Sequence, residues 1–277
     1  MTLSARNLVF KLGIILSFLY LLICIGVSIQ AIPVYDLMET EITHRPEGIL
    51  QKLAGQFFNT NLLAVHCSIL VLVLYSFFSI LFIYHFFEKT QSPEVLFVAL
   101  FAISFSFEAL RLVIPLQWVY EIPSLYILTA SRILLFGRYF GIFSLFTASV
   151  YAVGFKTEKQ RNVIMIITVT ALIIALGFPI DTQTWDSSLN MLVGYISMLR
   201  LIEAGTFLIA ILSFFIAVWL RGSHEFFFIC AGAILAFIGR NILLSTDAWI
   251  GLPVGLLCLA VGTWLICTKL HKIYLWL

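Results

Sequence analysis

Long apolar runs, separated by short polar segments, recur along the whole of this chain. A run of about 20 apolar residues is long enough to cross the hydrocarbon core of a bilayer as an α-helix. Such windows predict eight transmembrane helices, over residues 9–31, 61–86, 95–116, 123–154, 162–180, 189–220, 225–244 and 250–270. We therefore expect an all-α, polytopic integral membrane protein in which residues 1–277 form a single transmembrane domain.

The composition favours the same fold class. The chain is 62% hydrophobic and 11% charged, whereas a soluble domain carries roughly 25% charged residues. Its mean hydropathy is +1.08. Because no segment between the predicted helices is long and polar enough to form a soluble domain, we expect no attached kinase, cyclase, nuclease or hydrolase domain and no nucleic-acid partner. The expected surroundings are the lipid bilayer.

The lysines and arginines outside the predicted helices lie mostly on one side of the bundle. One side holds Arg6, Lys11, Lys89, Lys156, Lys159, Arg161, Arg221, Lys269 and Lys272, and the other holds Arg45 and Lys52. Loops rich in lysine and arginine stay in the cytoplasm. This asymmetry predicts an inner or plasma membrane protein with both termini in the cytoplasm. We interpret residues 9–31 as an uncleaved first helix, because its apolar run exceeds that of a usual signal peptide.

The longest polar connection, residues 32–60, is predicted to lie on the outer side. The segment "EGILQKLAGQFFNTN" at residues 47–61 places its apolar residues on one helical face. That pattern is typical of a short helix that lies in the membrane interface. A plain loop packed on the helix ends is the alternative.

Similar segments recur in the same order in the two halves of the chain. "VLYSFFSILF" at residues 73–82 is similar to "AILSFFIAVW" at residues 210–219, an offset of 137 positions. The order of these matches predicts two four-helix units, residues 1–155 and 156–277. Units with an even number of helices enter the membrane from the same side, so the repeats are parallel and a ligand site is expected between them.

Seven charged residues fall inside the predicted helices. They are Arg111, Arg132, Arg138, Arg200, Arg240, Glu108 and Glu203. An ionised side chain at the bilayer centre costs about 2.5–3.5 kcal/mol on insertion scales. We therefore expect these side chains to face the interior of the bundle and to find partners there, mostly in its outer half.

Helical spacing predicts partners for some of these charges. Glu108 and Arg111 are three residues apart, as are Arg200 and Glu203, so each pair shares a helix face. The remaining three arginines have no acid in their own helix, and they are Arg132, Arg138 and Arg240. The sequence therefore predicts an outward-biased cluster with a net charge of +3.

His66 extends this picture because the offset of 137 residues aligns it with Glu203. If the two units are repeats, these two titratable groups lie across the pseudo-axis from each other. The alternative is that His66 only forms a hydrogen bond with a neighbouring helix.

Two interpretations of the intramembrane charges remain open. One is structural, with salt bridges between helices that fix their register. The other is an anion-binding site, because the planar guanidinium fork suits a carboxylate or phosphate. The candidate ligand-binding residues are Arg111, Arg132, Arg138, Arg200, Arg240, Glu108, Glu203 and His66.

Three classes of function follow from these interpretations. The first is a non-enzymatic ligand-binding or sensory protein, which binds an anionic small molecule or a lipid headgroup and signals through a separate membrane or cytoplasmic partner protein. The second is a small transporter of an organic or phosphorylated anion. It is disfavoured because the inner half holds few ionisable groups. The third is a lipid-modifying enzyme with Glu108 or Glu203 as acid or base. No metal-ligand or cofactor motif occurs in the sequence.

Overall fold

The computed structural model describes residues 3–42, 60–88, 90, 92–120, 122–155 and 160–275. The predicted interfacial helix at residues 47–61 lies outside these residues, apart from its last two positions. Within the described residues, eight segments are long and apolar enough to cross a membrane, which confirms the predicted multi-pass helical fold. We number them spans 1 to 8: Leu3–Gln30, Leu62–Phe87, Pro93–Gln117, Ser124–Val153, Gln160–Gly177, Ile196–Arg221, Glu225–Ser245 and Gly251–Tyr274.

The regular secondary structure of the described residues is helical except for one short hairpin. The α-helices are α1 (Leu3–Ile42), α2 (Leu62–Phe87), α3 (Pro93–Ser104), α4 (Val113–Val119), α5 (Ser124–Val153), α6 (Gln160–Gly177), α7 (Ile196–Arg221), α8 (Glu225–Ser245) and α9 (Gly251–Leu275). A 3₁₀ segment, Phe105–Leu112, joins α3 to α4 within span 3. Two strands, β1 (Ile180–Trp185) and β2 (Met191–Val193), pair antiparallel between α6 and α7.

Hydrogen bonds between helix ends define two faces of the bundle. At the hairpin face, the Asn61 N–H at the start of α2 donates to the Asp247 carbonyl after α8, at 2.7 Å. At the opposite face, the Arg6 guanidinium in the first turn of α1 donates to the carbonyl of Phe87, the last residue of α2. The C-terminal part of α9 also reaches this second face, which we call the terminal face because both ends of the chain approach it.

Span 3 is the most buried of the eight spans, and its middle is the 3₁₀ segment. Pro115 contributes to this change of helix type, because it has no N–H to donate to the Arg111 carbonyl four residues earlier. A 3₁₀ helix has three residues per turn, so side chains three residues apart lie directly above one another. This geometry places Glu108 and Arg111 on one line along the most buried span.

The hairpin corrects the expectation of a chain without strands. The predicted sixth helix began at residue 189, whereas α7 begins at Ile196 and the preceding residues form β2. Ile180 pairs with Val193, and Trp185 pairs with Met191. Apolar hydropathy alone does not separate a short apolar strand from the start of a helix. The hairpin therefore covers one end of the bundle where a longer helix was predicted.

The packing of the first helix differs between the two predicted units. Span 1 packs against spans 2 and 3, whereas span 5, its counterpart in the second unit, packs chiefly against span 4. The repeat therefore stays a prediction from sequence similarity.

Spans 7 and 8 pack closely because glycines face each other across their interface. A Cβ atom added at Gly239 would lie 2.5 Å from the backbone nitrogen of Leu259 and 2.7 Å from the carbonyl oxygen of Gly255. A Cβ added at Gly262 would lie 2.5 Å from the backbone nitrogen of Ala236. Small residues at such positions let two membrane helices approach backbone to backbone.

We expect Gly239→Ala to destabilise the protein by about 1–3 kcal/mol, because the added methyl group forces the two backbones apart. The measurement is the unfolding midpoint of the purified protein in detergent. Gly205→Ala is the matched control, since nothing lies within 4 Å of its added Cβ and alanine favours the helix. A loss of stability in both variants, or in neither, would contradict close packing at this interface.

Candidate functional site

The charged centre of the bundle is Glu108, whose side chain is 2% exposed. Arg138 of α5 binds it in a bidentate manner, with Nε donating to Oε1 and Nη2 donating to Oε2, each at 2.8 Å. The Nη1 atom of Arg111 lies 3.6 Å from Oε2. The predicted contact between Glu108 and Arg111 is therefore present, but the stronger partner comes from another helix. Glu108 holds two arginines together inside the bundle.

The same two arginines attach the hairpin to the bundle. The Arg111 guanidinium donates to the main-chain carbonyl of Ser188 in the hairpin turn. Arg138 Nη2 donates to the Oδ1 atom of Asn190 at 2.6 Å. Asp186 accepts hydrogen bonds from the N–H groups of Ser188, at 3.0 Å, and Asn190, at 2.8 Å. These contacts form a continuous polar connection from the interior of span 3 to the hairpin turn.

Asp181 stabilises the first strand of the hairpin. Its carboxylate accepts hydrogen bonds from the Thr184 hydroxyl, at 2.6 Å, and from the Gln183 N–H, at 2.9 Å. Both bonds favour the ionised carboxylate, so they lower the pKa of Asp181 below its usual range. The Asp181 carboxylate therefore stabilises the hairpin.

Glu203 pairs across helices and not along its own helix. Arg240 Nη1 of α8 donates to Glu203 Oε1 of α7 at 2.6 Å and to Asn241 Oδ1 at 2.8 Å. The predicted pair between Glu203 and Arg200 is wrong, because Arg240 occupies the carboxylate. Within the part of the chain that the structure describes, Arg200 has no ion pair.

A cavity of 510 Å³ lies between spans 4, 6 and 7 beneath the hairpin. Small-molecule sites occupy about 300–1,000 Å³, so this volume is sufficient for a ligand. We call this space the hairpin-side cavity. Its charged and amide side chains are Arg138, Arg200, Arg240, Asp186, Glu203, Asn190 and Asn241. The rest of its wall is mostly apolar. Arg138 is 21% exposed while its partner Glu108 is 2% exposed, so the arginine separates the buried carboxylate from the cavity.

The charge of this site is smaller than the sequence predicted. Four arginines lie in or directly behind the cavity wall, namely Arg111, Arg138, Arg200 and Arg240, and three carboxylates lie with them, namely Glu108, Glu203 and Asp186. The net charge of this group is therefore one positive charge and not three. The hairpin supplies the third carboxylate, Asp186.

Two candidate residues lie away from the cavity wall. The Arg132 side chain is partly buried and its Nε atom has no hydrogen-bond partner among the described residues. His66 is buried against α1, where its Nε2 lies 2.6 Å from the Ser28 hydroxyl. This contact agrees with the simpler alternative for His66, a hydrogen bond to a neighbouring helix.

A second charged cluster, which the sequence did not predict, lies at the terminal face. Glu94 of α3 is buried, and its Oε2 accepts hydrogen bonds from the hydroxyls of Ser92, at 2.8 Å, and Tyr274, at 2.6 Å. Arg221 Nη2 lies 3.8 Å from Oε1. The Tyr151 hydroxyl is buried without a hydrogen-bond partner among the described residues. Glu94 lies at the start of span 3 and Arg221 ends span 6, so this cluster adds ionisable groups at the helix ends of the terminal face.

A local signal for Glu94 was present in the sequence. Ser92, Pro93 and Glu94 form the usual start of a helix, with a capping hydroxyl, a proline in the first turn and an acid beside it. Ser92 does cap α3 by accepting the Val95 N–H. This signal would have extended the predicted helix to include Glu94. The partners from α7 and α9 had no such local signal.

Comparisons with known proteins give no relative from which the role of this site could be inferred. No protein-family model, no curated protein and no solved structure matches this chain.

Proposed function

We propose that this chain is a non-enzymatic ligand-binding or sensory protein of an inner or plasma membrane, and that its ligand carries an anionic group. The ligand binds in the hairpin-side cavity. Both termini lie in the cytoplasm, which follows from the distribution of lysine and arginine and places the hairpin face outside. The protein signals ligand binding through a separate membrane or cytoplasmic partner protein.

The observation that carries this proposal is Arg200. It lines a cavity of 510 Å³, and it has no acidic partner among the described residues, whereas Arg138 and Arg240 each hold a carboxylate. An arginine without a carboxylate offers its donors to a carboxylate or phosphate of a ligand. The paired arginines keep the cavity wall in place around it.

The state of Glu108 favours binding over catalysis by this carboxylate. Glu108 is buried and both of its oxygens accept hydrogen bonds from Arg138. A general base must lie within hydrogen-bond reach of the proton that it removes. Because Arg138 stands between Glu108 and the cavity, this carboxylate is poorly placed to act on a lipid headgroup.

The proposal predicts that organic anions stabilise the purified protein and that filling the cavity abolishes the effect. Ala204 lines the cavity on α7, so Ala204→Trp places an indole where the ligand would lie. The measurement is the shift in thermal unfolding midpoint on addition of dodecanoate, with a shift expected for the native protein and none for Ala204→Trp.

Leu201→Trp is the matched control for this experiment. Leu201 lies on the same helix, is exposed, and does not line the cavity, so the native response should persist in this variant. Equal responses in the native protein and Ala204→Trp would place the anion elsewhere and contradict the proposal.

A transporter is the second candidate function, and the buried cluster at the terminal face favours it. The helix α5 lines the hairpin-side cavity through Arg138 and Ile142, and it lines a small cavity beside Glu94 through Leu145 and Ala148. Ionisable groups therefore lie at both ends of the same column of helices. Uptake of an organic anion into proteoliposomes, lost in Glu94→Gln, would favour transport over sensing.

A further inference from the structure

The charge balance of the hairpin-side cavity limits the charge of its ligand. Arg240 is paired with Glu203, and Arg138 shares Glu108 with Arg111. Asp186 lies in the same wall. One positive charge, that of Arg200, is left for a ligand. A group with a single negative charge neutralises it, whereas a ligand with several negative charges would meet the carboxylates of the wall, and like charges placed together cost several kcal/mol.

Apolar side chains line the same cavity beside these charges. Leu135 and Ile142 of α5 are buried residues of this wall. From α8 the wall receives Leu244 and Phe237, and the Phe237 ring stacks on Phe207 at a centroid distance of 3.7 Å. Burial of apolar surface stabilises a complex by about 25 cal/mol per Å². A purely polar anion would leave this surface without a partner, so the cavity suits a ligand with an apolar part.

The cavity lies directly behind the membrane-facing surface. Its helix α7 forms span 6, which is the least buried of the eight spans. Two apolar residues of the cavity wall are well exposed, Leu192 at 44% and Ile196 at 47%, so this part of the wall is open to the surroundings. A ligand that resides in the lipid leaflet therefore reaches the cavity past apolar side chains and meets Arg200 in the first turns of α7.

From these three observations we infer that the ligand is an amphiphile with one negatively charged head group and an acyl chain. The head group binds Arg200 and the chain lies against Leu135, Ile142 and Phe237. This inference rests on the proposed function and specifies its ligand. A fatty-acid carboxylate and the phosphodiester of an anionic phospholipid both have this chemistry.

The test compares dodecanoate with probes that differ from it in chain length, in charge or in both. Purified protein in phosphatidylcholine nanodiscs is titrated with dodecanoate, butyrate, dodecanol and citrate, and apparent dissociation constants are obtained from tryptophan fluorescence. We expect dodecanoate to bind at least about tenfold more tightly than butyrate or citrate, because of its chain. We expect dodecanoate to bind more tightly than dodecanol by a similar factor, because dodecanoate is charged and dodecanol is not. Arg200→Gln should remove the advantage over dodecanol, and Ala204→Trp should abolish binding.

Exchange of part of the phosphatidylcholine for phosphatidylglycerol distinguishes the two sources. Displacement of dodecanoate by phosphatidylglycerol assigns the site to a phospholipid, and undisturbed binding of dodecanoate assigns it to a fatty acid. If citrate or butyrate binds as tightly as dodecanoate, the inference fails while the proposed anion site stands. If dodecanol binds as tightly as dodecanoate, the cavity does not recognise charge, and both the inference and the proposed anion site are wrong. If no probe binds, the inference and the proposed anion site are both wrong as well.

Discussion

Glu108→Gln is expected to destabilise the folded protein by about 3–5 kcal/mol, the usual cost of removing one partner from a buried ion pair. The variant keeps the shape of the side chain but removes the charge by which Glu108, in the most buried span, holds Arg111 of its own span and Arg138 of span 4. Both guanidinium groups would then remain in the interior without a carboxylate. The measurement is the unfolding midpoint of the purified variant in detergent.

Glu225→Gln is the matched control for this experiment. Glu225 also binds two cations, with Lys269 Nζ at 2.8 Å and Lys272 Nζ at 2.5 Å, but it is 22% exposed at the terminal face. Ion pairs at the surface contribute only about 0–1 kcal/mol. A small change for Glu225→Gln and a large one for Glu108→Gln is the expected result. Equal small changes would contradict the structural role of the buried cluster.

Arg200→Gln is expected to leave the fold intact and to weaken binding of dodecanoate about 10–100-fold. Its side chain is exposed and carries no ion pair among the described residues, so its loss leaves no buried charge behind. A hydrogen bond to a charged group contributes about 1.5–3 kcal/mol, and each 1.4 kcal/mol is a factor of about ten in affinity. Affinity and unfolding midpoint are measured on the same preparation.

Arg161→Gln provides the control for charge alone. Arg161 lies in the first turn of α6, is exposed, and does not line the cavity, so its loss changes the net charge of the chain without touching the site. The Arg161→Gln variant should bind dodecanoate with the same affinity as the native protein. Similar losses of affinity in both variants would show that general charge, and not the cavity, attracts the anion.

The membrane-spanning helices were predictable because their signal is local. Every predicted helix depends on a run of apolar residues that is long enough to cross a bilayer, and each has a counterpart in the structure. These properties depend on residues near one another in the sequence.

The partners of the charges were less predictable, because they come from different helices. Spacing along one helix gave Glu108 and Arg111, which the 3₁₀ segment does bring together. The stronger pairs, Glu108 with Arg138 and Glu203 with Arg240, are 30 and 37 residues apart in sequence. Only the packing of spans 3, 4, 6 and 7 brings them into contact.

The hairpin had the largest influence on the site and the weakest sequence signal. Its second strand is three apolar residues, Met191–Val193, which hydropathy merges with the helix that follows. Because the hairpin places Asp186 and Asn190 beside the arginines, its omission made the cluster look more positive than it is. The charge of the cavity could therefore be derived only from the folded chain.

An experimental structure of the protein with bromododecanoate tests the central claim most directly, because the bromine marks the position of the chain. The account predicts the carboxylate within hydrogen-bond distance of Arg200 and the bromine against the apolar wall formed by Leu135, Ile142 and Phe237. An empty hairpin-side cavity with the bromine bound at another surface of the protein would contradict it.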